Sequence, residues 1–209
     1  MNKAEQIIMT AKIGDGCFIT YGKNYCTAYS SIKENYMHFK KKILEDDGFD
    51  CSKVTTGENK GYNKNGIISK VCTHVDNRIT KISTMTKIDV IDNLDYFGFL
   101  IYYLDDGAYH KSHNTMHLYC NSFTDDEVEH LKNTIYRLFP YKECRNRWDN
   151  KKNGNSYPYL YIPVDTVKKI VEYYKPIMEN EPLLFCMLYK MGLPSQTIKS
   201  NKCNSLTGE

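Results

Sequence analysis

Apolar and polar positions along the chain follow one plan twice. From residue 4 to residue 13 apolar side chains recur at helical spacing and stop at Asp15-Gly16. A second run, residues 96–104, is strongly apolar, opens after Asp95 in an N-cap position and stops at Asp106-Gly107. Each Asp-Gly is followed by an alternating stretch interrupted by turn residues, Gly22-Lys23-Asn24 in one copy and Ser112-His113-Asn114 in the other, which predicts a hairpin. Ser31 and Thr124 then stand as N-caps ahead of helices over 33–48 and 125–139. In these, Tyr36, Phe39, Ile43 and Leu44, and Val128, Leu131, Ile135 and Leu138, line one apolar face. Two rougher hairpins come next, 51–56 with 67–74 and 141–148 with 157–164, around loops rich in Asn, Lys and Gly. A last helix is expected from 166 to about 178, then a short apolar segment over 183–189.

Superposing Asp15 on Asp106 also lays Ser31 on Ser122, so the two halves share one offset. Each half reads as helix, hairpin, helix, hairpin, helix. The prediction is an α+β protein of two pseudo-symmetric repeats: residues 1–85, a linker over 86–92, residues 93–194, and a frayed tail over 195–209.

Composition narrows the classes. With 41% hydrophobic and 25% charged residues, 209 residues are enough to bury a core and are not a disordered composition. The net charge of +3 is too small to indicate nucleic acid by itself. Its distribution says more: acidic residues gather in helix-like stretches such as Asp125, Asp126, Glu127 and Glu129, whereas Arg145, Arg147, Lys151 and Lys152 lie in strands and loops. One basic face is therefore expected. The eight cysteines show no Cys-x-x-Cys spacing, which argues against a zinc or redox motif. With no secretion signal and no apolar run of membrane-spanning length, reduced cysteines in the cytoplasm or an organellar matrix are expected.

Both helices deliver an Asp directly before a Gly, a residue that tolerates φ > 0 where a helix must stop. If the two helices pack side by side, the carboxylates meet at one end. At a separation of ~4 Å they repel by roughly 4 kcal/mol at an effective dielectric of 20. An oxygen-lined site of that charge suits Mg²⁺, and such ions promote phosphate hydrolysis.

The windows 8–16 and 99–107 resemble the two LAGLIDADG motifs of single-chain homing endonucleases. The second carries most of the likeness, from Phe97 through Leu104-Asp105-Asp106-Gly107-Ala108, and continues through His117 to Thr124. The ending Tyr161-Ile162-Pro163, Lys175-Pro176 and Met187-Leu188-Tyr189-Lys190 also resembles that family's closing segment, so the likeness spans nearly the whole chain. It implies that Asp15 and Asp106 are metal-binding catalytic acids, one per DNA strand, with the backbone carbonyls of Gly14 and Asp105 as further ligands. Mg²⁺ would be the cofactor, with Ca²⁺ or Mn²⁺ able to occupy the same sites. Eight strands would form a saddle along the major groove of double-stranded DNA, and the cuts would be staggered with short 3′ overhangs. Candidate DNA contacts are Lys23, Asn24, Lys64, Lys70, Lys111, His113, Asn114, Arg145, Arg147, Lys151 and Lys152. Two halves in one chain imply a monomer and a long non-palindromic target.

Lys12 departs from the family's apolar pattern, and Ile101 and Asp105 fill positions that are often small at its helix crossing. A looser or altered crossing is expected; Asp15 and Asp106 are untouched, so activity is expected to survive. Other features read plainly. Lys40-Lys41-Lys42 is a solvated helix face, Tyr102 and Tyr103 are helix packing, 157–161 is a half-buried strand, and no histidine has metal-ligand spacing. Lys70 reads as an exposed strand lysine or as a basic residue near the scissile phosphates. Two other functions fit the same scaffold: a maturase binding host intron RNA, and a DNA-binding protein without cleavage.

Overall fold

The computed structural model describes residues 1–58, 66–150 and 156–194. Lys64, Lys151, Lys152 and the expected frayed tail lie outside these residues. The first repeat opens with α1 (Lys3–Thr10), started by a capping box in which the Asn2 side chain and Glu5 satisfy each other's backbone N–H groups. The strands β1 (Gly16–Tyr21) and β2 (Asn24–Ser31) form the first hairpin, turned by Gly22 at φ 61°. Then come α2 (Glu34–Asp46), β3 (Thr55–Glu58) and β4 (Ile67–Cys72). The second repeat has α5 (Tyr96–Asp106), β5 (Gly107–His110), β6 (Thr115–Tyr119), α6 (Asp125–Leu138), β7 (Arg145–Asn150), β8 (Ser156–Ile162) and α7 (Val164–Glu179). A 3₁₀ segment, Pro182–Met191, closes the described chain.

The sheets have orders β1-β2-β4-β3 and β5-β6-β8-β7, antiparallel throughout. The second order is the first repeated, which makes the expected α+β duplication a property of the fold. Strand alternation decides which face is covered. Met116, Leu118, Leu160 and Ile162 are buried against the helices, while their neighbours His117, Tyr119, Tyr159 and Tyr161 face outward and are half-buried.

At the centre α1 packs on α5. Every residue of α5 from Gly98 to Asp105 is buried, as an all-apolar helix requires. The closest approach is at Gly98, where a Cβ would stand 1.8 Å from the Gln6 Oε1 atom. Gln6 also donates to the Asn93 carbonyl at 3.0 Å and accepts from the Asp95 N–H at 3.4 Å, so a side chain of α1 ties down the start of α5. Asp95 caps α5 through the Gly98 N–H at 2.8 Å, and Thr124 caps α6 in a capping box with Glu127, both as predicted.

Several expectations need correction. The first motif helix ends at Thr10, and the chain continues to Ile13 with i→i−3 bonds such as Ile13 N to the Thr10 carbonyl at 3.1 Å. Ser31 is not the cap of α2: Lys33 holds that position without a side-chain bond, and the Ser31 hydroxyl instead accepts from the Lys33 N–H at 3.1 Å. The segment read as a linker is helical, with α4 (Lys87–Asp92) capped by Thr86 directly after α3 (Asn77–Ser83). Lys40 is not solvated; it is fully buried. Lys12 turns away from α5 and donates to the carbonyls of Ser83, at 2.6 Å, and Met85, where the positive charge suits the end of α3. Ile101 is fully buried in the packed interface.

Among the described residues every cysteine is free, and Cys26, Cys51, Cys120 and Cys144 are buried. Among them, too, no helix is long and apolar enough to cross a membrane.

Candidate metal-binding and DNA-contacting site

Two chain reversals build the site. α5 ends at Asp106 and passes straight into β5 through Gly107 at φ −83°, ψ 155°. On the other side Gly14 closes the turn after α1, its N–H donating to the Thr10 carbonyl at 2.8 Å, and Asp15 leads into β1. Neither Asp-Gly glycine has a positive φ, contrary to expectation. They are needed because the new strand folds back tightly on its own helix. A Cβ at Gly16 would lie 2.7 Å from the Ala11 Cα, and one at Gly107 would lie 2.4 Å from the Tyr103 carbonyl oxygen. Across the pair, a Cβ at Gly14 would meet Asp105 Oδ2 at 3.1 Å and Asp106 Oδ2 at 3.2 Å. The acidic ends of both motifs are thus in one place.

Charge follows geometry. Asp106 is pushed up to about 7 by burial first, then by the nearby charges of Asp15 and Asp105. Asp15 is raised by burial and by Asp105, while Lys40 and Lys190 pull it back. Among the described residues neither carboxylate has a hydrogen-bond partner, which leaves their oxygens available to a ligand.

Asp105 is bound quite differently. Its carboxylate accepts from Lys40 at 2.8 and 2.9 Å and from the Tyr36 hydroxyl at 2.9 Å. Its backbone carbonyl, expected to face a metal, accepts from the Lys190 ammonium at 2.8 Å. Lys190 itself is pulled below the usual lysine range by burial, against the opposing charges of Asp105, Asp15 and Asp106. Beside Asp15 a cavity of ≈310 Å³ opens, lined also by Ser30, Tyr36, Asp105 and Lys190.

Sequence reasoning missed Lys40, Tyr36 and Lys190. A signal for Lys40 existed: it lies four residues after Tyr36 and four before Leu44, inside the apolar stripe of α2 and not on its wet side. Lys190 sat within the quoted closing segment but had no role assigned.

A hard divalent cation fits what is present. Two carboxylates whose proton affinity is raised by burial first and by neighbouring acidic charges second gain most from a dication. Among the described residues no group of three or more His, Cys, Asp or Glu side chains forms a metal cage, so the remaining donors would be carbonyl, water and phosphate oxygens.

The predicted DNA contacts fall at hairpin tips and on outward strand faces. Lys23, Lys111 and His113 are exposed in turns, Asn24 is exposed at the start of β2, and Asn114 takes φ 50° while accepting from the Tyr109 hydroxyl at 2.8 Å. Lys70 is exposed on β4 between Ser30 and Thr55, and Arg145 and Arg147 are exposed on β7.

The duplicated α+β chain thus carries, at one end of its central helix pair, two carboxylates that no hydrogen bond among the described residues engages. Residues 12–170 match the LAGLIDADG DNA endonuclease family, and the chain belongs to it. The homing endonuclease I-WcaI, solved bound to its DNA recognition sequence, is similar at a TM-score of 0.70 and 18% identity, over 92% of this chain and 87% of that one. I-DmoI in complex with DNA and Mn is similar at 0.52 and 11%, over 81% and 94%. Full-length DUF199/WhiA from Thermatoga maritima is similar at 0.51 and 11%, over 93% and 63%. No curated protein sequence matches the chain.

Proposed function

We propose that this chain is a site-specific double-strand DNA endonuclease that hydrolyses one phosphodiester in each strand and leaves short 3′ overhangs. The observation that carries the reading is the convergence of the two motif ends, with Asp15 and Asp106 raised in proton affinity and without a hydrogen-bond partner among the described residues. Asp15, Asp106 and the carbonyl of Gly14 would hold divalent cations, Mg²⁺ in the cell and Ca²⁺ or Mn²⁺ in substitution. The Asp105 carbonyl has a second lone pair beyond the one that Lys190 uses. A bound dication supplies Lewis-acid polarisation of the phosphate and a water of lowered pKa.

The chain's own residues do the rest. Asp15 and Asp106, ionised, would hold the cations beside the two scissile groups. Lys190 sets a positive charge where the pentavalent phosphate gathers negative charge. Asp105, ion-paired with Lys40, fixes the spacing of the acidic ends without joining them. The outward faces of the sheets lie along the major groove, with Lys23, Lys70, Lys111, Arg145 and Arg147 toward the duplex. Both catalytic ends belong to one chain, so a monomer acts on a non-palindromic target.

The test is incubation of the protein, and of Asp15→Asn and Asp106→Asn variants, with a randomised duplex library in Mg²⁺, followed by sequencing of cut ends. Staggered cuts that disappear in both variants support the proposal. Site-selective binding without cutting by the unaltered protein would overturn it in favour of a DNA binder, and neither binding nor cutting would turn attention to structured intron RNA.

A further inference from the structure

The outward faces of the two sheets differ in chemistry. On the first, register places Cys17, Ala28 and Cys72 in one row across β1, β2 and β4, with Ile19 and Ile68 on the same face. Small and aliphatic groups dominate there, and Lys70 brings a positive charge. On the second, Arg145 pairs with Tyr161 and Arg147 with Tyr159, and these tyrosines pair with His117 and Tyr119 of β6. The side chains stack on one another: His110 on His117 at 3.7 Å between ring centroids, His117 on Tyr159 at 4.2 Å, and the Arg147 guanidinium over the Tyr161 ring at 4.1 Å.

Position and restraint make Arg147 a reader of bases. It lies mid-strand, where a ribbon laid in the major groove faces base edges. Its plane is already held by Tyr161, so less rotamer freedom is lost when the guanidinium fork engages a partner. A planar fork presented to the major groove matches the O6 and N7 acceptors of guanine. Beside it His117 is kept neutral, pulled down to about 4 by burial and by His110 and Arg147, so it offers a hydrogen-bonding ring and not a phosphate-gripping cation. The His110 Nε2 atom is buried with no hydrogen-bond partner among the described residues. Among the described residues the first sheet presents no comparable device; its row of Cys17, Ala28 and Cys72 suits the C5-methyl of thymine.

Resting on the endonuclease reading, we propose that the two half-sites are read by different chemistry. Arg147, held on Tyr161, reads a guanine under the second sheet, and the apolar row of the first sheet selects thymine.

The experiment is selection of bound duplexes from a randomised library in EDTA, with the full chain and with its Arg147→Ala, Arg147→Lys and Tyr161→Leu variants. The unaltered protein is expected to enrich a guanine at a fixed position in one half-site and thymines in the other. Arg147→Ala should lose that guanine alone, bind the selected duplex about 5- to 150-fold more weakly, and leave the thymine-rich half unchanged. Tyr161→Leu should blur the same position although Arg147 remains, and Arg147→Lys should not restore it. Uniform weakening across all sequences in Arg147→Ala, with the salt slope reduced by about one, would place Arg147 on a phosphate and overturn the inference. An unaltered protein that enriches no duplex sinks the endonuclease reading together with this one; enrichment with an unchanged consensus in Arg147→Ala sinks only this one. Arg147 is exposed, and matched thermal melts separate lost recognition from lost folding.

Discussion

The Lys40 ammonium sits 2.8 and 2.9 Å from the two carboxylate oxygens of Asp105, joining α2 of the first repeat to the end of α5 in the second. Their side chains are only 1% and 2% exposed, and the ammonium lies over the rings of Tyr29 and Tyr36 at 4.9 and 4.8 Å. Such a pair adds little net stability, but removing one partner strands a charge in the interior. Lys40→Met is therefore expected to destabilise the chain by about 3–5 kcal/mol in urea melts. A double variant with Asp105→Leu should recover much of that loss. A Lys40→Met melt matching the unaltered protein would mean that the Asp105 carboxyl is satisfied without its ion pair.

The acidic pair makes stability depend on pH. In the folded chain Asp106 titrates at about 7, against 3.8 for a free aspartate. Between these values the folded chain holds a proton that the unfolded chain has released, so this group's contribution falls as pH rises. His117 acts in the opposite sense. Its folded value of about 4 lies below the free 6.5, so protonation favours the unfolded chain and stability rises with pH across that window. One pH profile mixes the two slopes; variants separate them. In EDTA, Asp106→Asn should gain stability over the unaltered protein progressively from about pH 4 to about pH 7, then level off. His117→Gln should lose the rising limb. A gain in Asp106→Asn that is flat with pH would refute the raised carboxyl.

Lys190 and a divalent cation compensate the same charges. Its ammonium bonds to the Asp105 carbonyl, and its charge lowers the proton affinity of both Asp15 and Asp106. Lys190→Met is expected to raise repulsion in the metal-free protein, lowering its Tm at about pH 8. It should also enlarge the Tm gain on adding Ca²⁺, since a cation bound only by the folded chain stabilises it more the more tightly it binds, as RT ln(1 + c/Kd) at cation concentration c. The unaltered protein should show a smaller gain, and Asp15→Asn combined with Asp106→Asn none. Equal Ca²⁺-induced gains in Lys190→Met and the unaltered protein would remove Lys190 from the charge balance of the site.

Much of this was legible because local rules fix local structure. Thr124 and Asp95 announce N-caps, and the alternation around residues 107–119 a hairpin; each turned out so. The two Asp-Gly pairs located the candidate site because both lie at the end of an apolar run. What escaped notice depends on partners distant along the chain. Lys40 and Asp105 are 65 residues apart, and Lys190 and Asp105 are 85 apart, so no window of spacing reveals either contact. The glycine argument failed for a related reason. At Gly16 and Gly107 the constraint is the return of the strand onto its own helix, a three-dimensional approach that the dipeptide does not encode. Residues 86–92, read as a linker, carry a capping box, Thr86 with Asp89.

The contact between Gln6 and Gly98 gives the last prediction. With no Cβ at Gly98 the Gln6 amide crosses the helix interface and bonds the turn that starts α5, through the Asn93 carbonyl and the Asp95 N–H. Gly98→Ala would normally favour a helix by about 1 kcal/mol. Here the methyl would stand 1.8 Å from the Gln6 Oε1 and 3.0 Å from Leu94 Cδ2, so the amide must leave its partners. The displaced Gln6 amide is buried and the orphaned Asp95 N–H is half-buried, and leaving a buried group unsatisfied costs about 1–3 kcal/mol. Gly98→Ala should therefore lower the Tm despite its better propensity. Because the clash is with a flexible side chain, Gln6→Ala should already incur the loss of the tie, and adding Gly98→Ala to it should restore stability. Additive losses in the double variant would show that the methyl clashes with the backbone of α1, and that the central pair is packed more closely than a single side chain can relieve.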